Sequence, residues 1–177
     1  MKLRYGMVRI LAVALLAATA ACATVEAPDG SYEAGLAAYE RGDHDAAYDI
    51  WRSLSSAGDA QASYRLGDLF DYGTGVDQDY ELAALYYRRA AQRGHADAQF
   101  RLAGRYADGL GVRKNRLKSL TWYMIALDNR ELSHRNRELA QMYLGSYHSV
   151  CVMEKLHCRE LQEKAQRLAA AWQAKTD

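Results

Sequence analysis

Cysteines and a few acids and imidazoles are the residues of this chain whose type and spacing suit them to chemistry. Cys151 and Cys158 lie close together near the C-terminus. On one continuous helix a seven-residue step spans about 10 Å, whereas a disulfide needs Cα atoms within roughly 7 Å. A bond between them therefore requires a helix break. Two reduced, buried thiols are the second reading, and a zinc site from His148, Cys151, His157 and Cys158 is the third, at a spacing that fits no common zinc pattern. Asp68 and Asp71 fall on one helix and could act as a carboxylate pair, but the simpler expectation is two solvated acids. Motifs of the type His-Glu-x-x-His, Gly-x-Ser-x-Gly or a phosphate-binding glycine loop are absent. The chain thus carries no catalytic set, no metal set and no cofactor motif.

The elements that would position these residues are helical. The segment from Gly58 to Arg130 reads twice at a period of 36 residues: Gly58–Asp59–Ala60–Gln61–Ala62 returns as Gly94–His95–Ala96–Asp97–Ala98. Gly73-x-Gly75–Val76 returns as Gly109-x-Gly111–Val112, and Tyr86–Tyr87 as Trp122–Tyr123. A fixed period of this length marks a solenoid of one supersecondary unit. Helices are expected over 31–41, 43–57, 60–72, 79–93, 96–108, 115–127, 132–150 and 158–175, with glycines as stops. Ala62, Leu66, Leu69 and Phe70 share one face, as do Leu82, Leu85, Tyr86 and Ala90. Leu139, Met142 and Tyr143 share another, and Leu161, Ala165, Leu168 and Trp172 a fourth. Strand signals are nearly absent. The fold class is all-α: an α-solenoid of antiparallel helix pairs, with units at about 31–58, 59–94 and 95–129. Residues 130–177 form a C-terminal helical cap.

The first 21 residues are of another kind. Lys2, Arg4 and Arg9 precede an apolar run from Ile10 to Ala18, and Thr19–Ala20–Ala21 lead to Cys22. This is the layout of a signal peptide, and the run is short for a bilayer span. The stretch resembles a bacterial lipoprotein signal, in which Cys22 becomes the lipidated first residue. Thr19 stands where such signals usually carry Leu, so cleavage near Ala20 to a soluble product is the alternative. Residues 22–30 read as a tether. Beyond the signal the chain holds 20 basic and 22 acidic residues, a net of −2. That balance gives no basic stripe for nucleic acid. Arg88–Arg89 and Arg135–Asn136–Arg137 read as solvated helix faces.

The repeated unit resembles the Sel-one-like repeat (SLR), a branch of the tetratricopeptide superfamily. Ala60, Ala62, Leu66, Gly67, Gly73, Gly75, Val76, Ala83, Tyr86, Tyr87, Ala90, Ala91 and Gly94 carry the match in the second unit. Ala96, Ala98, Leu102, Gly109, Gly111, Val112, Trp122, Tyr123 and Ala126 carry it in the third, which departs at Ala103 and Ser119. The resemblance implies a scaffold that binds a protein or peptide, with no catalytic residues to transfer. It places Tyr32, Tyr39, Tyr64, Asp68, Asp71, Tyr72 and Phe100 toward the concave, partner-binding face; packing between repeats is the other use for these aromatics. Secreted members of the class bridge adjacent helices by disulfides, which by analogy favours Cys151–Cys158. Some extracellular relatives are linked to cell-wall compounds or polymer secretion, so an envelope enzyme or ligand-binding protein acting on wall or polysaccharide material is the alternative function. The expected location is the periplasmic side of the bacterial outer membrane, through lipidated Cys22, with a soluble periplasmic or secreted form as the alternative. Mass spectrometry of protein from its native host is expected to find an acylated N-terminal Cys22, and Cys22→Ser to release the protein from membranes. An unmodified chain starting at Ala21 would point to the soluble form.

Overall fold

The structure, a computed structural model, describes residues 30–154 and 158–176, and side chains over 30–147 and 159–175. Cys22, residues 155–157 and the side chains of Cys151 and Cys158 lie outside these. The described residues form eight α-helices: α1 (Tyr32–Glu40), α2 (His44–Ala57), α3 (Ala60–Tyr72), α4 (Tyr80–Gln92), α5 (Ala96–Asp108), α6 (Arg116–Asp128), α7 (His134–Glu154) and α8 (Cys158–Thr176). Each of the first seven packs on the next, and α8 returns onto α6. The architecture is the α-solenoid of helix pairs that the period predicts.

Local chemistry explains where the helices begin and end. Side-chain acceptors at Ser31, Asp43, Asp59, Asp79, His95 and Asn115 bond first-turn amides of α1 to α6, supplying partners that a helix start lacks. Between the helices of a pair, the turns 73–79 and 109–115 are built alike. Gly75 and Gly111 have φ of +71° and +69°. The amide of Asp79 donates to Phe70 O and that of Asn115 to Tyr106 O, each at 2.9 Å. Val76 and Val112 fold back on the core as expected. Between pairs, the Ser55 and Ser63 hydroxyls bond at 2.8 Å. One repeat on, the Gln99 amide donates to Ala91 O at 3.3 Å.

The core sits between the paired helices. Trp51, Leu66, Leu69, Tyr87, Leu102 and Leu120 are each no more than 1% exposed. Some expected faces are turned. On α4 the buried side is Ala83, Ala84, Tyr87, Ala90 and Ala91, while Leu85 is exposed. Those alanines let α4 approach α3 closely and so take the inner face from the leucines. On α7 it is Ala140 that is buried, with Leu139 and Met142 exposed, and on α8 Leu168 is exposed beside buried Ala165 and Ala169. Helix α7 also runs from 134 to 154 rather than 132 to 150. Leu132 is buried in the preceding turn with Ala96 and Ala126, and no Gly or Pro interrupts the residues after Val150.

The cap is fixed by polar ties. Asp97 accepts from the Ser133 hydroxyl at 2.8 Å and the Asn136 amide at 2.7 Å. Arg137 donates to Leu127 O and Asn129 O at 2.6 and 2.8 Å, so it is a structural donor and not a solvated charge. Trp172 meets Trp122 edge to face at 5.2 Å.

The turn glycines differ in what surrounds them. A Cβ at Gly111 would fall on the Tyr80 carbonyl, whereas one at Gly42, φ +82°, meets nothing within 4 Å. Gly42→Ala is expected to cost only the left-handed penalty of about 1–2 kcal/mol. Gly111→Ala is expected to cost about 3 kcal/mol or more, because backbone must also move. Urea unfolding of the two variants checks the difference.

Candidate functional site

The expected partner-facing residues divide into three places. Tyr39 lies against Trp51 at 5.7 Å and His44 at 5.0 Å, inside the first helix pair. Phe100 packs on Tyr123 at 5.5 Å and joins clusters that reach Leu132 and Ala140. Tyr32, Tyr64, Asp68, Asp71 and Tyr72 come together in a polar and aromatic row along α1, α3 and α5.

The row is tied across helices by long side chains. Arg65 Nε donates to the Tyr32 hydroxyl at 2.8 Å. The Tyr87 hydroxyl, rising from α4, donates to Asp68 Oδ1 at 2.8 Å and Asp71 Oδ2 at 3.1 Å. Arg105 donates to the same Asp71 oxygen at 3.0 Å, the carboxylate being 3% exposed. Arg105 also lies 5.7 Å from the Tyr80 ring centre, and Arg101 5.7 Å from that of Tyr72. Tyr72, at 58% exposure, is the open aromatic of the group.

The expectation of two solvated acids does not hold. Asp71 is buried and Asp68 half-buried, because each receives hydrogen bonds from residues far along the chain. A buried carboxylate that keeps such donors is stable, whereas removing one partner strands the other charge. Burial raises the Asp68 carboxyl above its usual range, against the Tyr87 hydrogen bond and the Arg101 charge. Burial and then the Asp68 charge push Tyr64 up to about 12, and the same two causes push Tyr87 further up. Both phenols are therefore neutral donors at neutral pH. The carboxylates are held by arginine and tyrosine donors, which makes them positioning groups for the row.

Sequence reasoning missed Arg65, Tyr87, Arg101, Arg105 and His95 as members of this region. A signal was present: Arg65, Arg101 and Arg137 stand at the repeat period. Among the described residues, no group of three or more His, Cys, Asp or Glu is placed to hold a metal ion, and no helix is long and apolar enough to cross a membrane.

With three helix pairs, glycine turns and a shared first-helix face, the molecule is of the tetratricopeptide-like class of repeat solenoids. Residues 60–95 and 96–129 match the Sel1 repeat, so the second and third units are of the SLR type. It is 35% identical over 100 residues to protein sel-1 homolog 2 of Mus musculus and 32% identical to that of Homo sapiens. Each match covers 56% of this chain but only 14% of the relative's length. Among solved structures it is similar to a protective antigen of uropathogenic Escherichia coli strains that displays an SLR fold, with TM-score 0.62 and 24% identity over 80% of this chain and 28% of that one. It is also similar to a Sel1 repeat protein from Oxalobacter formigenes, with TM-score 0.58 and 26% identity over 80% of this chain and 56% of that one.

The joint between the second and third units is set by a histidine. His95 Nδ1 accepts from the Ala98 amide at 3.2 Å, and its ring stacks on Tyr64 at 4.5 Å. Burial lowers its pKa below the ordinary 6.5; Asp97 and Glu131 oppose that shift and Arg65 adds to it. The unfolded chain therefore binds this proton more readily than the folded one. The associated stability is present above about pH 6.5 and is lost as pH falls below it. Unfolding free energy measured from pH 7.5 to 5 is expected to fall more steeply for the native chain than for His95→Asn, whose amide can still cap α5.

Proposed function

We propose that this protein is a non-catalytic scaffold of the bacterial cell envelope. On this reading its first-helix row, on the concave side, holds a protein or peptide partner. The observation that carries the reading is the row itself: three successive first helices present linked aromatic and charged side chains, with Tyr72 open beside Arg101. Sel1 repeats generally mediate protein–protein contact, and repeat stacking offers one extended surface to an extended ligand. The proposed anchor is lipidated Cys22 on the outer membrane. The proposed clasp is a Cys151–Cys158 disulfide between α7 and α8; the two cysteines belong to different helices, as such a bond requires.

Recovery of a stoichiometric partner from detergent-solubilised envelope, followed by affinity measurement, tests the reading. Tyr72→Ala is expected to weaken binding by about 2 kcal/mol, near thirtyfold, if it sits at a contact centre. Its melting temperature should stay unchanged, because the side chain is mostly in water. Tyr64→Ala and Phe100→Ala are expected to lower stability instead. Native affinity of Tyr72→Ala, with cross-links mapping to other helices, would reject the concave-face assignment.

A further inference from the structure

A cleft of about 510 Å³ opens between α4, the end of α5, the third unit's glycine turn and the start of α6. Arg88, Arg113, Lys114 and Lys118 line it together with Tyr106 and Asn115, and no Asp or Glu does. None of these belongs to the row described above. Lys118 Nζ stands 5.1 Å from the Tyr106 ring centre. Arg88 is half-buried, and its Nε is buried without a hydrogen-bond partner.

The second unit is an internal control. Its turn has the same backbone: matching glycine angles and the same closing hydrogen bond at 2.9 Å. One period earlier, Arg88 is matched by Arg52, Tyr106 by Phe70, Arg113 by Asp77, Lys114 by Gln78, Asn115 by Asp79 and Lys118 by Leu82. Four positive charges thus stand where the second unit carries one positive and two negative. Arg52 is also paired with Asp49 at 3.2 Å, while the position equivalent to Asp49 is Leu85. The repeat fold forms equally well with either set, so packing does not call for the cations. Like charges gathered on one cavity without an acid repel one another, and a bound anion removes that repulsion. Arginine forks and lysine ammoniums are the donors suited to phosphate oxygens.

We propose that this cleft is a binding site for a small anion carrying two or more phosphate groups. The volume lies in the range of about 300–1,000 Å³ typical of small-molecule sites and exceeds what a lone phosphate would fill. The inference does not rest on the partner reading of the first-helix row.

Calorimetric titration of the full chain in non-ionic detergent, at matched ionic strength, tests it with inorganic pyrophosphate, sulfate and glycerophosphoglycerol. Pyrophosphate is expected to bind one site at least tenfold more tightly than sulfate. The variant Arg113→Asp/Lys114→Gln/Lys118→Leu, which takes the second unit's residues, is expected to lose at least tenfold in affinity with unchanged circular dichroism. Should the triple variant unfold, Arg88→Gln supplies the second measurement and is expected to weaken pyrophosphate binding several-fold. A control removing charge elsewhere, Arg135→Gln/Arg159→Gln/Arg167→Gln, should bind as the native chain does. Glycerophosphoglycerol carries a single phosphodiester and is expected to bind at least tenfold more weakly than pyrophosphate; equal binding would overturn the requirement for two phosphate groups. Equal binding of sulfate and pyrophosphate, meaning an adventitious ion only, would overturn the proposal. So would native affinity in a folded triple variant, or equal loss in the charge control.

Discussion

A large ring on each second helix rests against a glycine or alanine of the helix before it, and the spacing of the solenoid depends on that contact. Trp51 lies over Gly35, where a methyl group would collide with the indole. Tyr87 lies over Gly67, where an added Cβ would stand 2.6 Å from the phenol ring. In the third unit Ala103 takes the place of glycine, and it is fully buried against Tyr123. Helix separation depends on the side chains at the contact, so glycine or alanine under an aromatic ring sets each pair at close range. The ring then supplies the apolar area that keeps the pair together.

That contact also links core and surface. Tyr87 is buried by its ring, yet its hydroxyl reaches Asp68 and Asp71 in the first-helix row. One residue thus helps seat α4 on α3 and fixes two carboxylates of the first-helix row. Arg105 completes the arrangement from the following unit. Packing and the proposed binding surface are therefore not separable at this position: a change to Tyr87 would loosen the pair and remove a donor from buried Asp71 and half-buried Asp68 together.

Much of this architecture is legible in the residues. The 36-residue period, the glycine turns and the capping Asp, Asn and Ser give the helix pairs and nearly all their ends. Ala103, the departure from the repeat pattern, is small enough to keep the ring contact. What the residues conceal is which side of a helix faces in when alanine competes with leucine, as at Leu85 and Met142. Close approach of backbones wins there, and no single-helix pattern carries that information. The burial of Asp71 is concealed for a related reason. Its partner Arg105 lies 34 positions away, nearly one full repeat, so a local reading sees only an acid on a polar stretch. Of the expected partner-facing set, Tyr39 and Phe100 are occupied in packing; the other five share the row, where Tyr32 and Tyr64 also stack on Trp51 and His95.

The ties between successive first helices have a mechanical meaning. Arg65 to Tyr32 and Arg105 to Asp71 are spans made by long side chains rather than by interlocked backbone. The close ring-on-glycine contacts lie within pairs; between pairs the joint is made by core packing of α2 on α3 and α4 on α5 and by the Gly111 turn against the Tyr80 carbonyl, and the arginine ties lie over it. Backbone and core thus close the joint, and the arginines add a polar layer that spans from one repeat to the next. The same span that joins two repeats therefore also fixes how far apart their surface charges stand, a spacing that any chain laid along the row would have to match.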